Sequence, residues 1–260
     1  MKELDSMKEP VSMKELDDFE DGLIEEFKAH PVLAHVPLIP ADDFAALLLQ
    51  RRFLSLSFTP AYDLAIDLLT DETGLRIART ILREEYPGSD GRTRSHREDM
   101  KEDLLQLGVS RRALVEARPS AATTAAITGT LELIADAGRS EHADLRLLAI
   151  LRFWGEILVS VEYGRFWPRM EPHLTRDGKN HSYFYYPHLL HDAKAHPLAA
   201  TSRLSASHSD QLGVRLSELL ARDDGADGFR EVERRAYELR VDFYDQFLPM
   251  VAATGSRAGA

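Results

Sequence analysis

The sequence predicts an all-α domain. Between its two ends, apolar residues recur at three- and four-residue steps, the breaks are short and carry Gly, Pro or Asp, and no alternating apolar run is bounded by hairpin turns. The chain opens on a six-residue unit written three times, MKELDS, MKEPVS and MKELDD, with Met1, Met7 and Met13 in register. Three such units are too short for a solenoid, so residues 1–28 read as an acidic repeat tail and a leading helix, with residues 1–14 dispensable. Helical stripes then run through about 41–69, 74–86, 96–107, 122–137, 143–163, 182–196 and 209–221. Pro60 should kink the first of these or split it near Phe58. The β-branched Thr123, Thr124 and Ile127 weaken the helical signal of the fourth. In the last segment Phe229, Val232, Ala236, Leu239, Phe243 and Phe247 share one face. Residues 29–250 therefore form one domain, and the small, polar 251–260 reads as a flexible tail.

Composition narrows the function before any motif does. The 260 residues are 44% hydrophobic, enough for a sizeable core, and no stretch has the roughly 18 to 20 apolar residues of a membrane span. The start is a charged repeat and not an apolar signal segment, so a soluble, cytoplasmic protein is expected. With no cysteine, disulfides, thiolate metal sites, iron–sulfur clusters and a cysteine nucleophile are all excluded. Any metal must be held by His, Asp and Glu. The net charge of -11 argues against nucleic-acid binding, although about -7 of it belongs to residues 1–26. Walker, GxGxxG, GxSxG, HExxH and Glu-x-x-His motifs are all absent.

Three groups carry candidate chemistry. Five of the ten histidines, His173, His181, His188, His191 and His196, fall close together. In a regular helix His188, Asp192 and His196 would sit at about 0°, 40° and 80° around the axis, all leaning toward one cavity, with His191 about 60° behind His188. Imidazole mixed with carboxylate suits a hard, oxygen-reactive metal such as iron; the competing reading is a surface helix that packs beside Tyr183, Phe184, Tyr185 and Tyr186. The second group is Glu84-Glu85-Tyr-Pro-Gly at a helix end, followed by Ser95 as N-cap and His96 in the next first turn, a turn that can bring Glu85 to His96. The third is Glu162 in LVSVEYGRFW, a carboxylate among apolar residues that needs a cation, with Arg165 as the plain ion-pair partner and Glu156 as the alternative ligand.

The order of these pieces resembles the haem-oxygenase-like di-iron oxidases: Glu-Glu-Tyr-Pro-Gly, a polar loop, Ser-His opening a helix that closes in Leu107-Gly108, a buried Glu on a later helix, then two aromatics before His-x3-Asp. The resemblance covers roughly 29–250. It implies a single haem-oxygenase-like helical bundle holding two Fe(II) ions, with O2 as co-substrate. The implied chemistry is oxidation of a small organic molecule, an amino acid or another carboxylate, by desaturation, ring formation, N-oxygenation or C–C cleavage, as in natural-product biosynthesis. The implied metal ligands are Glu85, His96, Glu162, His188 and Asp192, with Glu85 and Glu162 as the catalytic carboxylates. This carboxylate set speaks against haem. The family motif H-x3-D-x2-H would place the third ligand at Ala195; here His196, one residue on, is the expected ligand and His191 is not. The acidic ligand of the first core helix aligns with Gln50, with Asp63 and Asp67 as alternatives, which predicts one strong and one weak iron site. Arg165 is the expected substrate-carboxylate residue, with Arg51 and Arg52 as equal candidates. Two further readings remain: a metal-free thiaminase-like or pyrroloquinoline-quinone-synthase-like acid/base enzyme, and a non-enzymatic helical partner protein. The expected partners are a small-molecule substrate and, as an open option, a second copy of the chain in a homodimer.

Overall fold

The computed structural model describes residues 12–88, 93–198, 207–222 and 224–257. Its helices are α1 (Met13–Lys28), α2 (Pro31–Ala34), α3 (Ala41–Leu56), α4 (Phe58–Leu68), α5 (Glu72–Glu84), α6 (His96–Gln106) and α7 (Arg111–Glu116). They continue with α8 (Ala121–Ala137), α9 (Ala143–Ile150), α10 (Leu158–Leu174), α11 (Tyr185–His191), α12 (His208–Leu220), α13 (Ala226–Asp245) and α14 (Leu248–Arg257). Helices α9 and α10 form one rod, joined without a break by a π-helical stretch, Leu151–Ile157. Every residue from 147 to 160 on this rod is buried, so it is the axis of the bundle. A helix that is buried on all sides must satisfy its polar side chains inside the protein, and the functional groups below are largely that solution.

Around the rod, α13 packs on α8, α9 and α1, α12 lies against the π-helical stretch, and α11 lies along α10. The apolar stripe of α13 is buried as its periodicity requires. Gly129 lets α8 approach α13 closely: a Cβ there would stand 2.5 Å from a Leu239 methyl. The segment with Thr123, Thr124 and Ile127 is helical despite its β-branching, because Ser120 caps α8 by accepting from the Thr123 N–H at 3.0 Å. The long second stripe divides at Ser57, which leaves Pro60 in the first turn of α4, where its missing N–H costs nothing. One two-stranded hairpin, Thr175–Arg176 with Lys179–Asn180, was not expected; its turn is Asp177-Gly178, both at positive φ, a common two-residue hairpin turn. Where the sequence suggests a flexible tail from 251, α14 is helical to Arg257. Among the described residues, no helix is long and apolar enough to cross a membrane.

The N-terminal helix is part of the core. Leu16, Leu23, Ile24 and Phe27 of α1 are buried, and Glu20 pairs with Arg152 on the rod with neither side chain exposed. Ser12 caps α1 with a reciprocal Glu15 contact, so a removable segment of 1–14 would cut into this cap; residues 1–11 lie outside the described residues. Truncation through residue 28 is therefore expected to abolish the cooperative thermal transition, since it exposes four large apolar contacts and leaves Arg152 without Glu20. An unchanged transition would mean that α1 packs without contributing.

Candidate metal centre

The helix α5 ends at Glu84, with Glu85 as its C-cap. Ser95 then caps α6 in a reciprocal box with Glu98, placing His96 at the first helical position. This turn brings His96 Nδ1 to 2.9 Å from Glu85 Oε1 although eleven residues separate them. His188, on α11, completes the group: one ligand atom each from Glu85, His96 and His188 lies within 4.8 Å of the others. His188 Nδ1 donates to the Phe184 carbonyl at 2.6 Å, which leaves Nε2 with its lone pair toward the group. Burial, and then the nearby His96, push His188 down to about 3, so it is neutral, as a metal ligand must be. Burial opposes protonation of His96 too, but the hydrogen bond and charge of Glu85 outweigh it and raise His96 above its ordinary value.

A second group lies beside the first. Glu156, Asp192 and His208 also offer three ligand atoms within 4.8 Å of one another. Glu156 comes from the π-helical stretch, Asp192 is the C-cap of α11, and His208 is the first residue of α12. His208 Nδ1 lies 3.4 Å from Glu156 and 3.8 Å from Asp192, and its Nε2 lies 3.4 Å from Glu84. The Tyr62 hydroxyl donates to Glu156 Oε1 at 2.5 Å. Burial and the Glu156 charge raise the Asp192 carboxyl well above the usual carboxylate range, while against the cost of burial the surrounding carboxylates lift His208 to about 10. Here two buried acidic side chains and an imidazole crowd together and retain protons, whose positive charge a divalent cation would replace with greater charge.

This donor set fits two divalent ions. The three imidazoles and three carboxylates of the two groups line one cavity of about 490 Å³, with Glu84 and His191 beside them, and the -3 of the grouped carboxylates nearly balances two ferrous ions. Binding at the second group must displace the proton of His208. Its affinity is therefore expected to rise with pH up to about 10, with protons released, which calorimetry in buffers of different ionisation enthalpy would measure. Uptake without proton release would show that His208 is already neutral.

Several expectations need correction. Glu162 is fully buried but turned away from both groups: Arg51 Nε donates to it at 2.6 Å and Arg240 Nη1 at 2.7 Å, so its compensating cation is a pair of arginines. Glu156, six residues earlier and on another face of the rod, takes the place near Asp192. His196 lies in neither group. Helix α11 stops at His191, with Asp192 as its C-cap, so the assumed angle never exists, and His196 Nδ1 meets Asp210 at 2.6 Å. The missing third residue is His208, and a sequence signal for it was present: Ser207-His208 repeats the Ser95-His96 pattern of a capped helix opening on histidine. His191 is exposed at the cavity. Arg165 is exposed and does not line the cavity, nor does Arg52; Arg51 does. Gln50 bonds to the Arg118 carbonyl, the Ser120 N–H and the Thr123 hydroxyl, and Asp63 and Asp67 are exposed. None of these three faces the metal groups, so Gln50→Glu is expected to leave ferrous titration unchanged and instead to destabilise the α3–α8 contact; a tightened iron step would restore Gln50 to the site.

No family model matches the chain, and no curated protein matches it. Solved structures do. A TenA family transcription regulator from Silicibacter sp. TM1040 aligns over 92% of this chain and 97% of its own, at 15% identity and a TM-score of 0.57. A CADD-like protein of unknown function from Nostoc punctiforme PCC 73102 aligns over 93% and 99%, at 12% identity and a TM-score of 0.60. The fold is the haem-oxygenase-like helical bundle. At these identities the likeness concerns the fold, and the site is argued from its own residues.

Proposed function

We propose that this protein is a non-haem, O2-dependent di-iron oxidase of a small organic carboxylate, acting by desaturation, ring formation, N-oxygenation or C–C cleavage, with natural-product biosynthesis as its setting. The observation that carries the reading is the pair of His/carboxylate groups on one cavity, each with ligand atoms within 4.8 Å. Glu85, His96 and His188 would hold one Fe(II), and Glu156, Asp192 and His208 the other. When bound, the two irons supply the reduction of O2 that gives the site its oxidising power. The protein's own residues do the rest. Tyr62, whose hydroxyl is held protonated by burial and by the Glu156 charge, orients Glu156. Phe184 selects the His188 tautomer through its carbonyl.

Arg51 and Arg240 share the single charge of Glu162 and also line the cavity, so this trio carries one positive charge in excess of its carboxylate. Arg51 donates through Nε to Glu162 and through Nη1 to Ser55, and at the cavity it lines Nη2 would be its donor to a substrate carboxylate. Leu54, Phe58, Met100, Trp154 and Val159 wall the remaining space and exclude water from the substrate's apolar part. The deciding experiment is anaerobic ferrous loading followed by iron counting and O2 consumption. Two irons per chain and iron-dependent O2 uptake support the reading. A protein that retains no iron but turns over substrate would be the metal-free acid/base enzyme, for which the His96–Glu85 contact is the ready-made pair. A protein that does neither would be the helical partner protein.

A further inference from the structure

The ligands of the second group come from three separate stretches of chain, and one of them, His208, stands on the first residue of a helix. First turns have backbone N–H groups without helical partners and open most easily, so a ligand there is only as well placed as the turn beneath it. In α6 the acid at the third helical position, Glu98, closes the box on Ser95. In α12 the acid at the same position, Asp210, accepts instead from His196, at 2.6 Å from Nδ1 and 3.3 Å from the backbone N–H. Asp210 is fully buried, while the His196 side chain is about half exposed at 47%, so His196 reaches in from outside to hold the opening of α12.

Ser209, the residue after His208, is held by the rod. Arg152 Nε donates to the Ser209 carbonyl at 3.0 Å, and Arg152 stands four residues before Glu156 on the same π-helical stretch. Ser209 Oγ in turn donates to the Ala193 carbonyl at 2.7 Å, one residue after Asp192. Each ligand of the second group is thus tied to the next by a contact one to four residues away. The Arg152 charge is balanced by Glu20 of α1, which anchors the arrangement to the N-terminal helix.

We infer that His196 and Arg152 are positioning residues of the second metal group: by gripping Asp210 and the Ser209 carbonyl they fix the first turn of α12, so that His208 meets Glu156 and Asp192. This rests on the di-iron reading for its metal consequence, but the placement of His208 does not. The test compares His196→Ala, His196→Asn and Arg152→Met in two assays. In ferrous titration, His196→Ala is expected to weaken one of the two steps about 10-fold, the size usual for a lost supporting contact, and to leave the other unchanged. His196→Asn, whose amide can replace Nδ1 as donor to Asp210, should restore that step. In the metal-free protein, diethyl pyrocarbonate with peptide mapping should modify His208, whose side chain is 12% exposed, several-fold faster in His196→Ala and Arg152→Met than in the parent, with His96 unchanged.

Unaltered His208 reactivity in His196→Ala, with both iron steps intact, overturns the inference, as does an alanine defect that asparagine does not repair, since His196 would then act as a ligand. If the parent takes up no iron yet His208 is still released in the variants, the di-iron reading fails and the positioning role stands. Should Arg152→Met not fold, the His196 pair decides alone.

Discussion

Replacing His208 with alanine is expected to reduce bound iron from two ions per chain to one and to abolish O2 consumption, while the fold persists. Among the described residues, His208 supplies the imidazole of the group with Glu156 and Asp192, and without it that group has two carboxylates from different segments and no nitrogen donor. Loss of a supporting contact around a metal ligand costs about 10–100-fold in affinity, so loss of a direct donor should exceed that. The other group keeps Glu85, His96 and His188, hence the single remaining ion. His191→Ala is the control. Its ring lies 6.2 Å from that of His208 at the same cavity, so a nonspecific effect of removing an imidazole there would appear in it too. Two irons in His208→Ala would show that His208 is not a ligand.

Glu162→Ala should do the opposite, leaving iron stoichiometry at two and damaging stability. Its carboxylate is fully buried and is the shared partner of Arg51 and Arg240, whose side chains are nearly as buried. Breaking a buried ion pair from one side costs about 3–5 kcal/mol because the remaining charge is uncompensated. For a chain of this size that is a fall of about 10 °C in the thermal midpoint. Glu162→Gln should lose less, since the amide oxygen can still accept from one guanidinium. The cavity wall would gain positive charge in both variants, so a carboxylate substrate should bind no worse. Loss of one iron with an unchanged midpoint would return Glu162 to the ligand set implied by the motif order.

The two outcomes separate what a one-dimensional reading can reach from what it cannot. Glu85, His96 and His188 were legible because local rules bring them together. A helix end, a capped helix start and a short turn place Glu85 by His96, and His188 enters on a helix that Phe184 and Tyr185 bury at its start. Glu162 misled for a physical reason. Burial of a carboxylate is visible in its apolar neighbours, but the identity of the compensating cation is not, and here it arrives from α3 and α13, 111 and 78 residues away.

By itself the sequence determined the all-α class, because helical periodicity is a local property of side-chain spacing. It also determined the Glu-Glu and Ser-His helix ends, because capping chemistry acts within four residues. It excluded thiol chemistry outright. Only the tertiary structure decided which of Glu156 and Glu162 faces the cavity, since both lie on one continuous helix whose every residue from 147 to 160 is buried and whose polar faces are therefore chosen by the partners packed around it. Only the tertiary structure decided that His208 rather than His196 joins Asp192: His208 is sixteen residues further along the chain, and the contact depends on α11 ending at His191 and on α12 returning to the rod.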